Sequence, residues 1–269
     1  FNRSKKPIQL TQIGEKIIEQ AKIIINESNR ISDIVDQQKG YVGGEFKLGI
    51  IPTIMPSLLP MFLKTFVKKY PKVNLIIEEL TTEEIIRKLS DGHIDAGIAA
   101  TPLENEAIKE RVIYYEPFIG FIPSDHRLHN HKTIDASDLE LNDILLLEDG
   151  HCFKESILNL CRAYKKESGA HFHLESGNFN TLIKLAKENL GMTLLPYLYT
   201  LDLNDIDQTF LREFNAPVPA REVSLIYHKS QLKIQLIEAL KDVIDSVIRG
   251  AITFNDVKIV SPLQNKKRA

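Results

Sequence analysis

Two cysteines, Cys152 and Cys161, are the only ones in the chain, and they stand nine positions apart. They fall in the run Asp149-Gly150-His151-Cys152-Phe153-Lys154-Glu155-Ser156-Ile157-Leu158-Asn159-Leu160-Cys161. The run predicts the start of a helix, with Asp149 as its cap and Cys152 at the third helical position. A cysteine there faces the positive end of the helix dipole and unpaired backbone N–H groups, which favour thiolate over thiol. The expected result is a Cys152 pKa depressed below the ordinary value near 8.5, and a nucleophilic sulfur. Phe153, Ile157, Leu160, Cys161 and Tyr164 share one helical face, so Cys161 reads as core. Nine helical steps turn by about half a circle and rise about 13 Å. A disulfide needs Cα atoms about 4.4–6.8 Å apart. The two sulfurs of an intact helix therefore cannot meet. If the pair bonds, the helix comes apart, and bond formation becomes a conformational signal.

The elements that must position these sulfurs follow from periodicity. From Leu10 to Gln38, Ile13, Ile17, Ala21, Ile24, Ile31 and Ile34 or Val35 recur at three- and four-residue steps. This predicts an amphipathic helix of about seven turns, N-capped by Thr11, long enough to suggest a dimer seam. Gly40-Tyr41-Val42-Gly43-Gly44 then reads as a hinge. Beyond it the pattern alternates. Strands are expected at Phe46–Ile51, Val73–Leu80 and Ile94–Ala99, with helices at Ser57–Tyr70 and Glu83–Ser90 between them. After Pro117 a second series is expected: a strand at Ile144–Leu147, a helix from Cys152 to Glu167, a strand at His171–Glu175, a helix over Asn178–Asn189 and a strand at Met192–Leu195. A strand at Val223–Tyr227 and a helix over Leu232–Ile248 close the chain. Such alternation predicts an α/β protein with a mostly parallel sheet, in two lobes with a ligand cleft between them.

Composition excludes several classes. A net charge of −2 over 269 residues gives no overall attraction to nucleic acid or anionic membrane. The longest apolar runs fall short of the roughly 20 residues that span a bilayer. The opening Phe1-Asn2-Arg3-Ser4-Lys5-Lys6 lacks a signal-peptide core. We therefore expect a cytoplasmic chain whose cysteines are reduced or reactive rather than structural. No phosphate loop, dinucleotide-binding glycine fingerprint or Gly-x-Ser-x-Gly elbow is present, so no cofactor is expected. The run His126-Arg127-Leu128-His129-Asn130-His131 fits no zinc spacing and reads as a surface loop, with no metal expected.

The order of long helix, glycine hinge and two α/β series resembles the LysR-type transcriptional regulators. The runs Leu10-Thr11-Gln12-Ile13-Gly14-Glu15, Gly49-Ile50-Ile51-Pro52-Thr53 and Leu190-Gly191-Met192-Thr193-Leu194-Leu195-Pro196 fit that family in order and separation. Leu147-Glu148-Asp149-Gly150-His151-Cys152, followed by Cys161, is similar to its peroxide-sensing OxyR subgroup. The resemblance implies a two-lobed, periplasmic-binding-protein-like regulatory domain preceded by a long linker helix. Residues 1–10 would be the remnant of a winged helix-turn-helix module, 11–39 the dimerisation helix and 40–45 the hinge. Residues 46–118 with 219–262 would form lobe I, 119–218 lobe II, and 263–269 a disordered tail.

The resemblance also assigns roles. Cys152 would be the peroxidatic residue and Cys161 the resolving one, in a stoichiometric sensor that is not an enzyme. Thr53, Thr82, His151, Arg221 and His171 would bind peroxide or stabilise the thiolate. On residue type alone, Thr53 and Thr82 read as cap or turn threonines, His151 as a cap-region residue, His171 as a structural strand histidine and Arg221 as a solvated strand-edge charge. Glu155 stands where the subgroup commonly has aspartate, and His173 where it often has arginine. The implied partners are hydrogen peroxide, promoter DNA through the N-terminal module, RNA polymerase, a reductant such as glutaredoxin or thioredoxin, and further copies in a homodimer or homotetramer. The competing functions are a LysR-type regulator whose cleft binds a small metabolite, a two-lobed solute-binding protein and a thiol peroxidase.

Overall fold

Leu48, Ile50, Ile98 and Ile226 have no exposed surface and mark the middle of a mixed sheet that has nine strands among the described residues. The structure is a computed structural model that describes residues 10–18, 20, 21, 24, 25, 28, 31, 43–148, 150, 152–161, 178–252 and 257–263. Residues 12–18 are helical, and Thr11 caps them: its hydroxyl accepts the Gly14 N–H at 3.1 Å. Ile13, Ile17, Ile24, Ile25 and Ile31 are all more than half exposed.

The first half runs β1 (Gly44–Ile50), α1 (Met55–Lys69), β2 (Val73–Glu79), α2 (Thr82–Ser90) and β3 (Ala96–Thr101). α1 begins with a proline in its first turn, where the missing N–H costs nothing, and it buries Leu58, Phe62 and Phe66 on one stripe. A 14-residue strand, β4 (Ile108–Phe121), follows. The second half contains β5 (Thr133–Ile134), α3 (Cys152–Cys161), α4 (Phe179–Lys187), β6 (Thr193–Pro196), α5 (Tyr197–Thr200), α6 (Asp205–Gln208) and β7 (Leu211–Phe214). β8 (Val218–His228), α7 (Ile234–Ile248) and β9 (Val257–Ile259) complete the described chain.

The strand order is β2-β1-β3-β8-β4-β7-β5, with β6 added on β4 and β9 on β8. β1 is parallel to β2 and β3, but β8 is antiparallel to β3 and β4, and β4 is antiparallel to β6 and β7. The sheet is thus mixed, a correction to the mostly parallel expectation. The missing element was β4. Its register against β8 shifts between Val112 and Tyr114, so its side-chain alternation changes phase midway and leaves no clean two-residue pattern. Pro117 lies inside β4, paired with Ala220, rather than between two series. The strand expected at Ile144–Leu147 is reduced to a single bridge between Ile144 and Met192.

Gly191 makes that bridge possible. Its φ is +143°, and a Cβ there would lie 2.7 Å from the Asp143 carbonyl oxygen, which accepts the Met192 N–H. Gly191→Ala is expected to destabilise the fold by about 1–3 kcal/mol through backbone strain. Chemical denaturation measures it, and an unchanged midpoint would show that the Leu190–Thr193 turn absorbs the methyl group.

Two hydrophobic clusters fill the molecule. One joins α1, α7 and β1 to β3; the other gathers Phe118, Phe121, α3, α4 and β6. α3 bridges them. Phe153, Ile157, Leu160 and Cys161 are buried in the second cluster, whereas Cys152 packs against the first. Tyr164, the helical extension to Glu167 and the strand expected at His171–Glu175 lie outside the described residues.

Candidate functional site

Cys152 is the first helical residue of α3 rather than the third, with Gly150 before it in a left-handed turn at φ +90°. The residue is half-buried, but its sulfur is enclosed by groups from three other elements. α2 contributes Thr82. The neighbouring Thr81 caps that helix: its hydroxyl accepts the Glu84 N–H at 3.3 Å, and Glu84 Oε2 accepts the Thr81 N–H at 2.9 Å. Thr82 is thereby spared the capping role. Its buried Oγ1 makes no well-formed hydrogen bond among the described residues, yet lies near enough to the Cys152 thiol to favour the thiolate. β3 contributes the Ala100 backbone N–H, and β8 contributes the charge of Arg221.

These groups compete with desolvation, and desolvation wins. Burial pushes the Cys152 thiol above its ordinary pKa against the Arg221 charge, the Thr82 hydroxyl and the Ala100 and Phe153 N–H groups, all of which favour the thiolate. The expected acidified thiol is therefore corrected: in this state the Cys152 thiol is protonated at neutral pH. The helix terminus is too small an effect, typically below about 1 kcal/mol, to outweigh the loss of water around a thiolate. Cys161 is 4% exposed, and burial alone pushes its pKa to about 11. Both cysteines are free thiols at opposite ends of α3.

Arg221 is inside β8 and 1% exposed, so it is no strand-edge charge. Its Nε and Nη2 donate to Glu116 Oε2 at 2.8 and 2.6 Å. Nη2 also donates to the Thr53 carbonyl at 3.0 Å, and Nη1 to Thr53 Oγ1 at 2.9 Å. The guanidinium lies 5.2 Å from the centroid of the Phe153 ring, which is itself edge-packed by Phe118 and Phe179. A guanidinium carries five hydrogens. One, on Nη1, has no acceptor among the described residues. Thr53 Oγ1 accepts from Arg221 and keeps its own hydrogen to donate. The arrangement can hold a small polar oxidant, or a thiolate, with several donors around an enclosed sulfur.

Comparison with known proteins places this geometry. The LysR substrate binding domain family matches residues 39–249. A hydrogen peroxide-inducible genes activator of Pectobacterium carotovorum subsp. carotovorum is 29% identical over 250 residues, covering 93% of this chain and 82% of that protein. Full-length OxyR of Pseudomonas aeruginosa, solved as a cysteine-to-aspartate mutant, superposes with a TM-score of 0.72 at 30% identity, over 91% of this chain and 82% of that one. The chain belongs to the LysR-type family, in its OxyR subgroup. A Corynebacterium glutamicum OxyR, a cysteine-to-serine mutant with hydrogen peroxide bound, superposes with a TM-score of 0.75 at 28% identity, over 93% of this chain and 81% of that one. The LysR-type fold is the two-lobed, periplasmic-binding-protein-like one.

Of the residues singled out in this LysR-type sequence, Cys152, Thr53, Thr82 and Arg221 come together, and Cys161 is held apart in the second core. His151 and His171 lie outside the described residues. Two contributors were missed. One is the Ala100 N–H, a backbone group that no side-chain pattern reveals. The other is Glu116, 1% exposed, whose Oε1 also accepts the Leu198 N–H at 3.0 Å. Its signal was a lone carboxylate in the apolar run Ile113-Tyr114-Tyr115-Glu116-Pro117-Phe118-Ile119, since a buried charge requires a partner. Among the described residues no group of three or more His, Cys, Asp or Glu side chains could hold a metal. The described part of the His126–His131 loop is tied instead by backbone turns and by Arg127, which bonds Asp143 at 3.2 Å. No described helix is long and apolar enough to cross a membrane.

Proposed function

We propose that this chain is the regulatory part of a transcription factor that senses hydrogen peroxide through Cys152. The carrying observation is the convergence of Arg221 and Thr82 on one enclosed thiol, with Thr53 joined to the same guanidinium. The peroxide-bound relative supports the choice of oxidant. Peroxide entering the site meets the spare Nη1 hydrogen of Arg221 and the Thr53 and Thr82 hydroxyls. Cys152 loses its proton as peroxide is engaged, and the thiolate electron pair attacks one peroxide oxygen. The O–O bond breaks, hydroxide leaves and takes a proton to become water, and Cys152 is left as sulfenic acid. The Cys161 sulfur then attacks the sulfenic sulfur, a second water leaves, and the Cys152–Cys161 disulfide forms. A dithiol reductant such as glutaredoxin or thioredoxin resets it.

In this proposal residues 46–118 with 219–262 form lobe I and 119–218 form lobe II, a division that the two hydrophobic clusters support in the main, although Phe118, Val257 and Val260 pack in the second cluster and Leu198 in the first. The exposed isoleucines of the N-terminal helix support a homodimer or homotetramer. Disulfide formation would remodel that assembly, and with it contacts to promoter DNA and RNA polymerase. His151 and His171 keep their proposed places as helpers of the thiolate. The test is direct. Reduced protein receives one equivalent of hydrogen peroxide, free thiols are trapped and products are mapped by mass. A Cys152–Cys161 link is expected, with sulfenic Cys152 in Cys161→Ser. Unchanged thiols would favour a metabolite in the inter-lobe cleft.

Two expectations follow from the enclosed thiol. Because the Cys152 pKa is raised, the thiolate fraction at neutral pH is lower than for an ordinary cysteine, and it grows about tenfold per pH unit. The peroxide rate should climb through pH 8.5 without levelling; a plateau below pH 8 in stopped-flow oxidation would mark an acidic thiol instead. Thr82→Val replaces a buried hydroxyl that has no partner among the described residues by a methyl group. Oxidation should slow about two- to tenfold, the value of one lost hydrogen bond, while Tm stays level or rises. A lower Tm would mean that the hydroxyl stabilises the resting fold.

A further inference from the structure

We propose that Glu116 is a positioning residue that competes with the Cys152 sulfur for the Arg221 guanidinium and so sets how readily that thiol reacts. The proposal rests on the peroxide-sensing reading above but can fail separately from it. Its basis is geometric. Arg221 and Glu116 are directly paired across β8 and β4, and each is 1% exposed. One carboxylate oxygen, Glu116 Oε2, takes hydrogens from both Nε and Nη2. That grip fixes the guanidinium plane, lays it over Phe153 and turns the Nη1 edge toward Thr53. The Leu198 N–H holds the other carboxylate oxygen, so Glu116 is itself immobilised.

The consequence is electrostatic. A buried cation needs a counter-charge, because an isolated charge in a dry interior is costly. Glu116 supplies it, so the Cys152 thiol can stay protonated. Remove the carboxylate charge, and the cheapest replacement is ionisation of the nearest acidic group. Among the described residues the groups facing that space are few. Around the sulfur stand Arg221 from β8, the Thr82 hydroxyl from α2, the Ala100 N–H from β3 and the Phe153 N–H from α3. Around the ion pair stands Tyr114 of β4, whose buried hydroxyl has no hydrogen-bond partner among the described residues. Its phenol is pushed up mainly by burial and also by Glu116, against the pull of Arg221, and it begins from an ordinary pKa near 10. Cys152 begins lower and is the group that answers. Glu116 thus holds the sensor in its unreactive form, and peroxide must draw Arg221 away from it.

The test avoids peroxide. The rate of Cys152 alkylation by iodoacetamide is measured against pH in a Cys161→Ser background. Glu116→Gln, which keeps the shape and an acceptor oxygen, should alkylate roughly tenfold faster at pH 7, with the midpoint of its pH profile shifted down by one unit. Glu116→Asp retains the charge and should stay within about threefold of the parent. Glu116→Gln with Arg221→Gln should bring the rate back to the parent value or below. An unmoved midpoint in Glu116→Gln overturns the proposal, as does a faster rate that persists in the double variant, which would mean loosened packing. Should Glu116→Gln fail to fold, infrared difference spectra of the unmutated chain decide: Cys152 deprotonation should shift a carboxylate band that stays fixed in Cys152→Ser, and a band that never moves overturns the proposal. A chain inert to peroxide that still shows the Glu116→Gln shift would sink the sensing reading and leave this one standing; a peroxide-reactive chain with no shift does the reverse.

Discussion

Arg221→Met is expected to destabilise the protein by about 3–5 kcal/mol, the usual cost of removing one partner from a buried ion pair. Methionine fills most of the same volume, so a cavity accounts for little of the loss. What remains is a carboxylate with 1% exposure, stripped of two charge-assisted bonds and held, among the described residues, by the Leu198 N–H. Two Thr53 acceptors also lose their donor in the turn between β1 and α1. Adding Glu116→Gln to Arg221→Met should recover at least half of the loss, because two neutral partners no longer demand a counter-charge. Arg221→Lys is not a substitute. A single ammonium cannot reach Glu116 and both Thr53 oxygens in one plane, and it should give an intermediate loss. Urea denaturation of the parent, Arg221→Met, Glu116→Gln and the double variant closes the cycle. Additive losses for the single and double variants would show that the pair is not coupled. The same variant bears on function, since Arg221 is the foremost group opposing burial at Cys152. Its oxidation by peroxide should fall more than tenfold, while a twofold change would mean that the Thr82 hydroxyl and the N–H groups suffice.

That pair also marks the limit of what the chain discloses before folding. Local pattern locates β1, α1, β2, α2, α4 and α7 to within two or three residues, because each is an apolar or periodic run set off by turn or cap residues. The opposite placement of Cys152 and Cys161 is legible for the same reason: it needs only 3.6 residues per turn. β4 is not legible, since the bulge after Val112 breaks its alternation. Without β4, Glu116 has no address, and Arg221 reads as an edge charge instead of half of a buried pair. The thiol's acidity fails for a different reason. The helix-terminus contribution can be read from Cys152's position, but the opposing burial comes from packing against the first hydrophobic cluster, whose elements are distant in sequence. A pKa is a sum over neighbours, and the sequence shows only those along the chain. Thr53 and Thr82 reach the site through resemblance to the family, and the structure adds the mechanism of their availability: Thr81 takes the cap, and Thr82 is left over.

Oxidation to the Cys152–Cys161 disulfide is expected to abolish amide protection across most of α3. The helix places the two residues about 13 Å apart along its axis, and no rotamer closes that gap to the few ångströms that a disulfide spans. Cys161 must also leave a cluster that includes Phe153, Ile157 and Leu160. Asn159 lies between the cysteines, and its amide donates to the Ser261 and Leu263 carbonyls at 2.9 and 2.7 Å. That segment is anchored at its other end on β8, where the Val260 N–H bonds the Ala220 carbonyl at 2.8 Å, beside Arg221. Unwinding α3 therefore pulls Asn159 out of its clasp, and the loss should spread to residues 257–263. Hydrogen exchange of reduced and diamide-oxidised protein would show it as faster exchange in both segments, with β1 to β3 unchanged. Asn159→Ala removes the clasp from the reduced form alone, so it should make the disulfide harder to reduce. The parent couple should lie above about −300 mV, because broken packing and broken hydrogen bonds oppose the oxidised state. Equal exchange in the two redox forms, or a potential well below that value, would mean that the bond forms without unwinding, and the local link would then have no lever on the rest of the molecule.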